Sequence, residues 1–121
     1  MYLDDLEIYE LALKLGDHIW RIVIKWDFFA KDTIGKQWIR AADSVPANIS
    51  EGYGRFHFKE EKHFFYYARG SLYETRTFIK IAYQRNLIPE DKYLQLVCDV
   101  NLLGKKLNRF ISSIGSKKKS S

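Results

Sequence analysis

Apolar residues recur at steps of three and four along nearly the whole chain, and the breaks between the repeating stretches are short. This periodicity puts an apolar stripe on each of several successive helices, and such stripes are stable only when packed against one another. The first stretch, Leu3 to Lys25, carries Leu11, Leu15, Ile19, Ile22 and Trp26. A loop is expected from Asp27 to Asp32, then a second helix from Thr33 to Tyr53 with Trp38, Ala41, Ala42, Val45 and Ile49 on its apolar side. The third helix is expected from Phe58 to Arg85, with Phe58, Phe65, Ala68, Leu72, Ile79 and Ala82 inward. Asn86 to Pro89 makes a tight connection to a fourth helix that ends near Ser113, with Tyr93, Leu96, Val97, Val100, Leu103, Leu107 and Phe110 inward. Long amphipathic helices joined by short links predict an all-α, antiparallel, up-down-up-down four-helix bundle. Residues 1–114 form that single domain, and 115–121, with Lys117, Lys118 and Lys119, read as a flexible basic tail.

The second helix contains the most unusual segment, Ser44-Val45-Pro46-Ala47-Asn48-Ile49-Ser50-Glu51-Gly52. A proline inside a helix lacks an N–H and crowds the carbonyl four residues back, here that of Ala42, at about 3 kcal/mol. Ser44, Asn48 and Glu51 are spaced to satisfy the backbone groups it disturbs, while Gly52 and Gly54 are expected to end the helix. Gly70 stands in the middle of the third helix, where glycine costs about 1 kcal/mol against alanine. Close approach of another helix accounts for it, with Ser71 and Glu74 meeting Asn48 or Glu51 in a small structural polar cluster.

The chain carries a net charge of +5, unevenly spread. Residues 1–35 hold seven acids against four bases, and residues 36–121 eight against sixteen. The basic excess is organised on the third helix. Lys59, Lys62, Tyr66, Arg69, Tyr73, Arg76, Lys80 and Tyr83 share one stripe without an acid, and Arg55 leads into it. Bases neutralise phosphates and tyrosines stack on unpaired nucleobases. The same stripe also suits a solvated face, or an interface with an acidic surface such as a neighbour's first helix.

Chemistry finds little support. His57 and His63 are six apart, not at the spacing that puts two metal ligands on one helical face. His18 is isolated, and Cys98 is expected in the core. Gly52-Tyr53-Gly54 lacks the pattern of a phosphate loop. No catalytic residue, metal or cofactor is expected. No apolar run reaches the roughly 20 residues that span a bilayer. The acidic N-terminus is unlike a secretory signal, and the lone cysteine suits a reducing cytoplasm.

Arg40-Ala41-Ala42 with Ser44 to Gly52, then Ala68-Arg69-Gly70-Ser71-Leu72-Tyr73-Glu74, and more weakly Asp5 to Tyr9 with Ala12, resemble the signature of the 23S ribosomal RNA intervening-sequence proteins, also called the four helix bundle protein family. The resemblance implies a four-helix bundle assembled as a pentameric ring, without established catalytic activity. It also implies a likeness to the nucleic-acid-binding accessory protein of diversity-generating retroelements. Its carried-over positions are Arg40, Ser44, Pro46, Asn48, Glu51, Gly52, Gly70, Ser71 and Glu74, with structural roles expected for most. The chain departs from the pattern at Ile39, at Asp43 and in lacking a Ser/Thr cap at Phe56 or His57. The first two lower positive charge near Arg40. The expected partners are copies of itself and RNA or DNA, the alternative being a protein-interaction scaffold with no nucleic-acid role.

Overall fold

The computed structural model describes residue 3 and residues 6–55 and 57–120, with Phe58 and residues 115–120 described as backbone only. Every regular element among them is helical. Helix α1 is Glu7–Val23. Helix α2 is a composite of one α-turn, Phe28–Ala30, a π segment, Lys31–Gly35, and the α-helix Lys36–Tyr53. Helix α3 is Phe58–Gln84 and α4 is Glu90–Ser120. Successive helices pack on one another and α1 closes the set against α4. With links this short, neighbours so packed run antiparallel.

The core follows from the stripes. Trp38, Val45, Ile49, Phe65, Leu72, Ile79, Leu96, Leu103 and Leu107 are almost wholly withdrawn from water. Each such side chain contributes about 1.5–3 kcal/mol over its exposed state. The stripe of α1 is shifted from the expected one. Ile8, Ala12, Leu15, Ile19 and Val23 are buried, whereas Leu11, Ile22 and Trp26 pack at the margin. Trp26 stacks on Trp38 at 5.7 Å between centroids, and its Nε1 donates to the Leu87 carbonyl at 3.0 Å, tying the end of α1 to the α3–α4 link. The core of α4 extends to Ile111 and Ile114, and Thr75 is buried on α3 with its hydroxyl donating to the Ser71 carbonyl at 2.8 Å.

Several further expectations are corrected. The stretch expected as a loop from Asp27 is mostly helical, because the Asp27 carboxylate accepts from the Ala30 N–H at 2.9 Å and caps a new helix. Cys98 is exposed, since the buried stripe of α4 runs through Leu96, Val100 and Leu103 on its other side. Gly52 does not end α2. It lies within the helix, where an added Cβ would sit 3.0 Å from the Phe65 ring and 3.1 Å from the Glu61 carbonyl, so its role is close packing against α3. Gly70 shows the reverse, with no atom within 4 Å of where its Cβ would stand, and no helix of the chain lies close over it.

Pro46 is buried and the α-helix runs through it. The Ser44 hydroxyl donates to the Arg40 carbonyl and the Asn48 amide to the Ser44 carbonyl, each at 2.8 Å. The side chains flanking the proline thus bond to carbonyls of their own helix. Glu51 pairs with Arg55, and Glu74 is exposed on α3. The polar cluster expected among Asn48, Glu51, Ser71 and Glu74 is not assembled. Asp4 and Asp5, expected in the first turn of α1, lie outside the described residues, and Glu7 and Glu10 occupy that turn. Helix α4 continues past Ser113 as backbone to Ser120, and the side chains of the basic segment lie outside the described residues.

Candidate nucleic-acid interface

Helix α3 presents its basic stripe beside α4, and the two helices enclose a shallow groove. At one end Lys62, Tyr66 and Arg69 face Asn108, Ile111 and Ser112. Further along, Tyr73 and Arg76 face Val100, Asn101, Gly104 and Asn108. The far end is lined by Arg76, Thr77 and Lys80 with Tyr93 and Val97. No aspartate or glutamate lines any of the three stretches. Lys62, Arg76 and Lys80 enter no salt bridge among the described residues. Arg69 donates from Nη1 to Asn108 Oδ1 at 3.0 Å, and its guanidinium lies 4.9 Å from the Tyr66 ring centroid. That pair of contacts holds a cation at the groove's edge in one orientation, its charge not cancelled by a carboxylate.

The structure gathers Lys62, Tyr66, Arg69, Tyr73, Arg76 and Lys80 and leaves Arg55, Lys59 and Tyr83 apart. Arg55 is engaged by Glu51 and lies over the Phe64 ring at 4.7 Å. Lys59 is exposed in the first turn of α3, next to Glu60. Tyr83 is also occupied. It stacks on Tyr93 at 4.2 Å and its hydroxyl donates to Glu90 at 3.4 Å, whose negative charge raises the phenol pKa.

The α4 wall of this groove was not read from the sequence. Asn101 and Asn108 supply amides, and Lys105 is exposed on α4 between them in sequence. Their spacing of four and three is a signal that a search for charge on one helix passes over.

Other polar sites are weaker. His18 borders a groove between α1 and α4 with Leu11, Lys14, Gln95, Asp99 and Leu102, and its imidazole pKa is lowered by burial and then by Lys92. Asp43 approaches α1 over Gly16, and partial burial raises its pKa. His63 shares a 2.6 Å hydrogen bond with the Tyr67 hydroxyl. Among the described residues no three His, Cys, Asp or Glu side chains are placed to hold a metal ion, and no helix is long and apolar enough to cross a membrane.

Comparison with known proteins bears on the whole bundle. The model of a family described as 23S rRNA-intervening sequence protein matches residues 4–109. Among solved structures, a protein of unknown function from the S23 ribosomal protein family of Bacteroides thetaiotaomicron shares the fold with a TM-score of 0.77. It has 18% identity over 86% of this chain and 97% of its own. No curated protein matches.

Proposed function

The chain belongs to the 23S rRNA-intervening sequence protein family, and with that as footing we propose that it binds RNA or DNA, with little regard to sequence, along the groove between α3 and α4. The observation that carries this reading is the acid-free basic line Lys62, Arg69, Arg76 and Lys80, interleaved with the exposed rings of Tyr66 and Tyr73 and faced by Asn101 and Asn108. Cations at such spacing displace the counterions of a phosphate backbone, the amides donate to phosphate or sugar oxygens, and the tyrosines offer flat apolar surface to bases. Nothing in this arrangement calls for a catalytic step, and the protein acts as a binding module.

A second reading concerns a different face and is compatible with the first. Leu13 and Trp20 are exposed on α1 and Ile24 at its C-terminal cap, and Phe28 and Phe29 just beyond are 79% and 78% exposed. An apolar surface of this kind supports self-association, and the family resemblance makes a pentamer the expected form.

The test of the groove is binding of labelled single-stranded RNA, duplex RNA and DNA across a salt series. Affinity should fall steeply with salt. Changing Arg69, Arg76 and Lys80 together to Gln should weaken all three ligands and lower the log–log slope by about one per lost contact. Wild-type protein that binds none of them at low salt, or a triple variant of unchanged affinity, would overturn the reading and leave the groove as a dock for an acidic protein surface.

A further inference from the structure

Gly70 lies twelve residues inside α3, in ordinary helical geometry. The usual reasons for a glycine are absent. It caps no helix end, it has no positive φ, and an added Cβ would meet nothing within 4 Å. The intrinsic helical penalty of glycine is therefore borne without return inside this chain.

The surroundings are distinctive. The four nearest neighbours of a helical residue on the helix surface stand three and four positions away on either side. For Gly70 these are Tyr66, Tyr67, Tyr73 and Glu74. The three tyrosines are 42%, 50% and 54% exposed. Gly70 is thus an open floor beside the exposed rings of Tyr66 and Tyr73, with Glu74 beyond it, while the Tyr67 hydroxyl is turned to His63. Counting about 100° per residue around α3, Arg69 and Arg76 come first from the α4 groove, then Tyr66 and Tyr73, then Gly70, then Tyr67 and Glu74.

We propose that the Gly70 notch is a stacking site for unpaired nucleobases, and that the protein thereby prefers single strands to duplexes. The proposal rests on the groove reading above and assigns the register within it. Phosphates lying along Lys62, Arg69, Arg76 and Lys80 direct the bases outward, across the Tyr66–Tyr73 row and over the glycine. Seven residues of helix separate those two tyrosines by about 10 Å, roughly three steps of a stacked strand at about 3.4 Å each, which leaves room for two bases between the rings. A side chain on residue 70 would fill that room. Glu74 on the outer rim repels phosphate and can accept from a ring N–H such as that of uracil or from an exocyclic amino group, so it favours bases over backbone at this position.

The experiment compares wild type with Gly70→Leu on oligouridine and on an RNA duplex of the same length, together with the mass of the assembly. A Cβ at residue 70 meets nothing within 4 Å, the rest of a leucine extends over an exposed surface, and leucine favours the helix, so the variant folds. Oligouridine should bind about tenfold more weakly, the loss of roughly one base stack, while duplex affinity and the salt slope stay unchanged. If Gly70→Leu keeps wild-type affinity for oligouridine while the groove variants lose it, the notch is overturned and the groove stands. If wild type binds neither ligand, both readings fall. A change in assembly mass would assign the glycine to a contact between copies and overturn the proposal.

Discussion

Asn86 turns the chain from α3 into α4. It has a φ of 61°, and among the described residues it is the one non-glycine with a positive value. The Leu87 N–H bonds to the Ala82 carbonyl at 2.8 Å and the Asn86 N–H to that of Tyr83 at 3.1 Å, which closes the last turn of α3 in a Schellman arrangement. Asparagine tolerates this left-handed conformation and β-branched residues do not. Asn86→Val should therefore lower stability by about 1–2 kcal/mol in urea unfolding, and Asn86→Gly should be neutral or slightly stabilising. At this scale the sequence was informative where one residue's chemistry decides the outcome. The link from Asn86 to Pro89 was legible for that reason. It was misleading where burial depends on which side of a helix its neighbours cover, as for Cys98 outward and Ala12 and Val23 inward. Glycines were the least legible, because Gly52 and Gly70 look alike in sequence and have opposite surroundings.

Helix α2 shows how an element can begin before its apolar pattern does. Phe28 and Phe29 face solvent, so no inward periodicity marks the first turn, and only the Asp27 cap and its bond to Ala30 reveal it. The π segment that follows brings Gly35 against α1, where an added Cβ would lie 2.7 Å from Val23. Removing the cap in Asp27→Ala should cost about 1 kcal/mol, read as a lower thermal midpoint at neutral pH. An unchanged midpoint would mean that packing of Ile34 and Trp38 alone holds the turn. The four helices themselves were legible in the three-and-four periodicity, while the cap and the π segment were not, because they arise from local hydrogen bonding and tertiary fit.

Across the whole molecule, the basic groove and the exposed apolar side chains of α1 belong to different parts of the bundle. Helices α3 and α4 form the groove, whereas Leu13 and Trp20, with Ile24 at the helix end, are exposed along α1, which packs on α2 and α4. One face can therefore associate with copies while the other stays open to a ligand. Light scattering should give about five times the chain mass of 14.3 kDa, and Trp20→Glu should shift that mass towards the monomer. A monomeric wild type at micromolar concentration would remove the assembly. The basic stripe was legible because one helix carries it, but the α4 wall, with Asn101 and Asn108, required the two helices to be brought together.

The three tryptophans sit at three depths. Trp38 is fully buried, Trp26 is half-buried against it, and Trp20 is 50% exposed on the α1 face. Optically, the protein thus carries separate reporters for its interior and its surface. A soluble quencher such as iodide reaches Trp20 and spares Trp38, so the quenchable share of the emission measures how far the α1 face is covered. In a Trp20→Phe background the remaining emission reports the core instead, and the two signals distinguish loss of assembly from loss of fold.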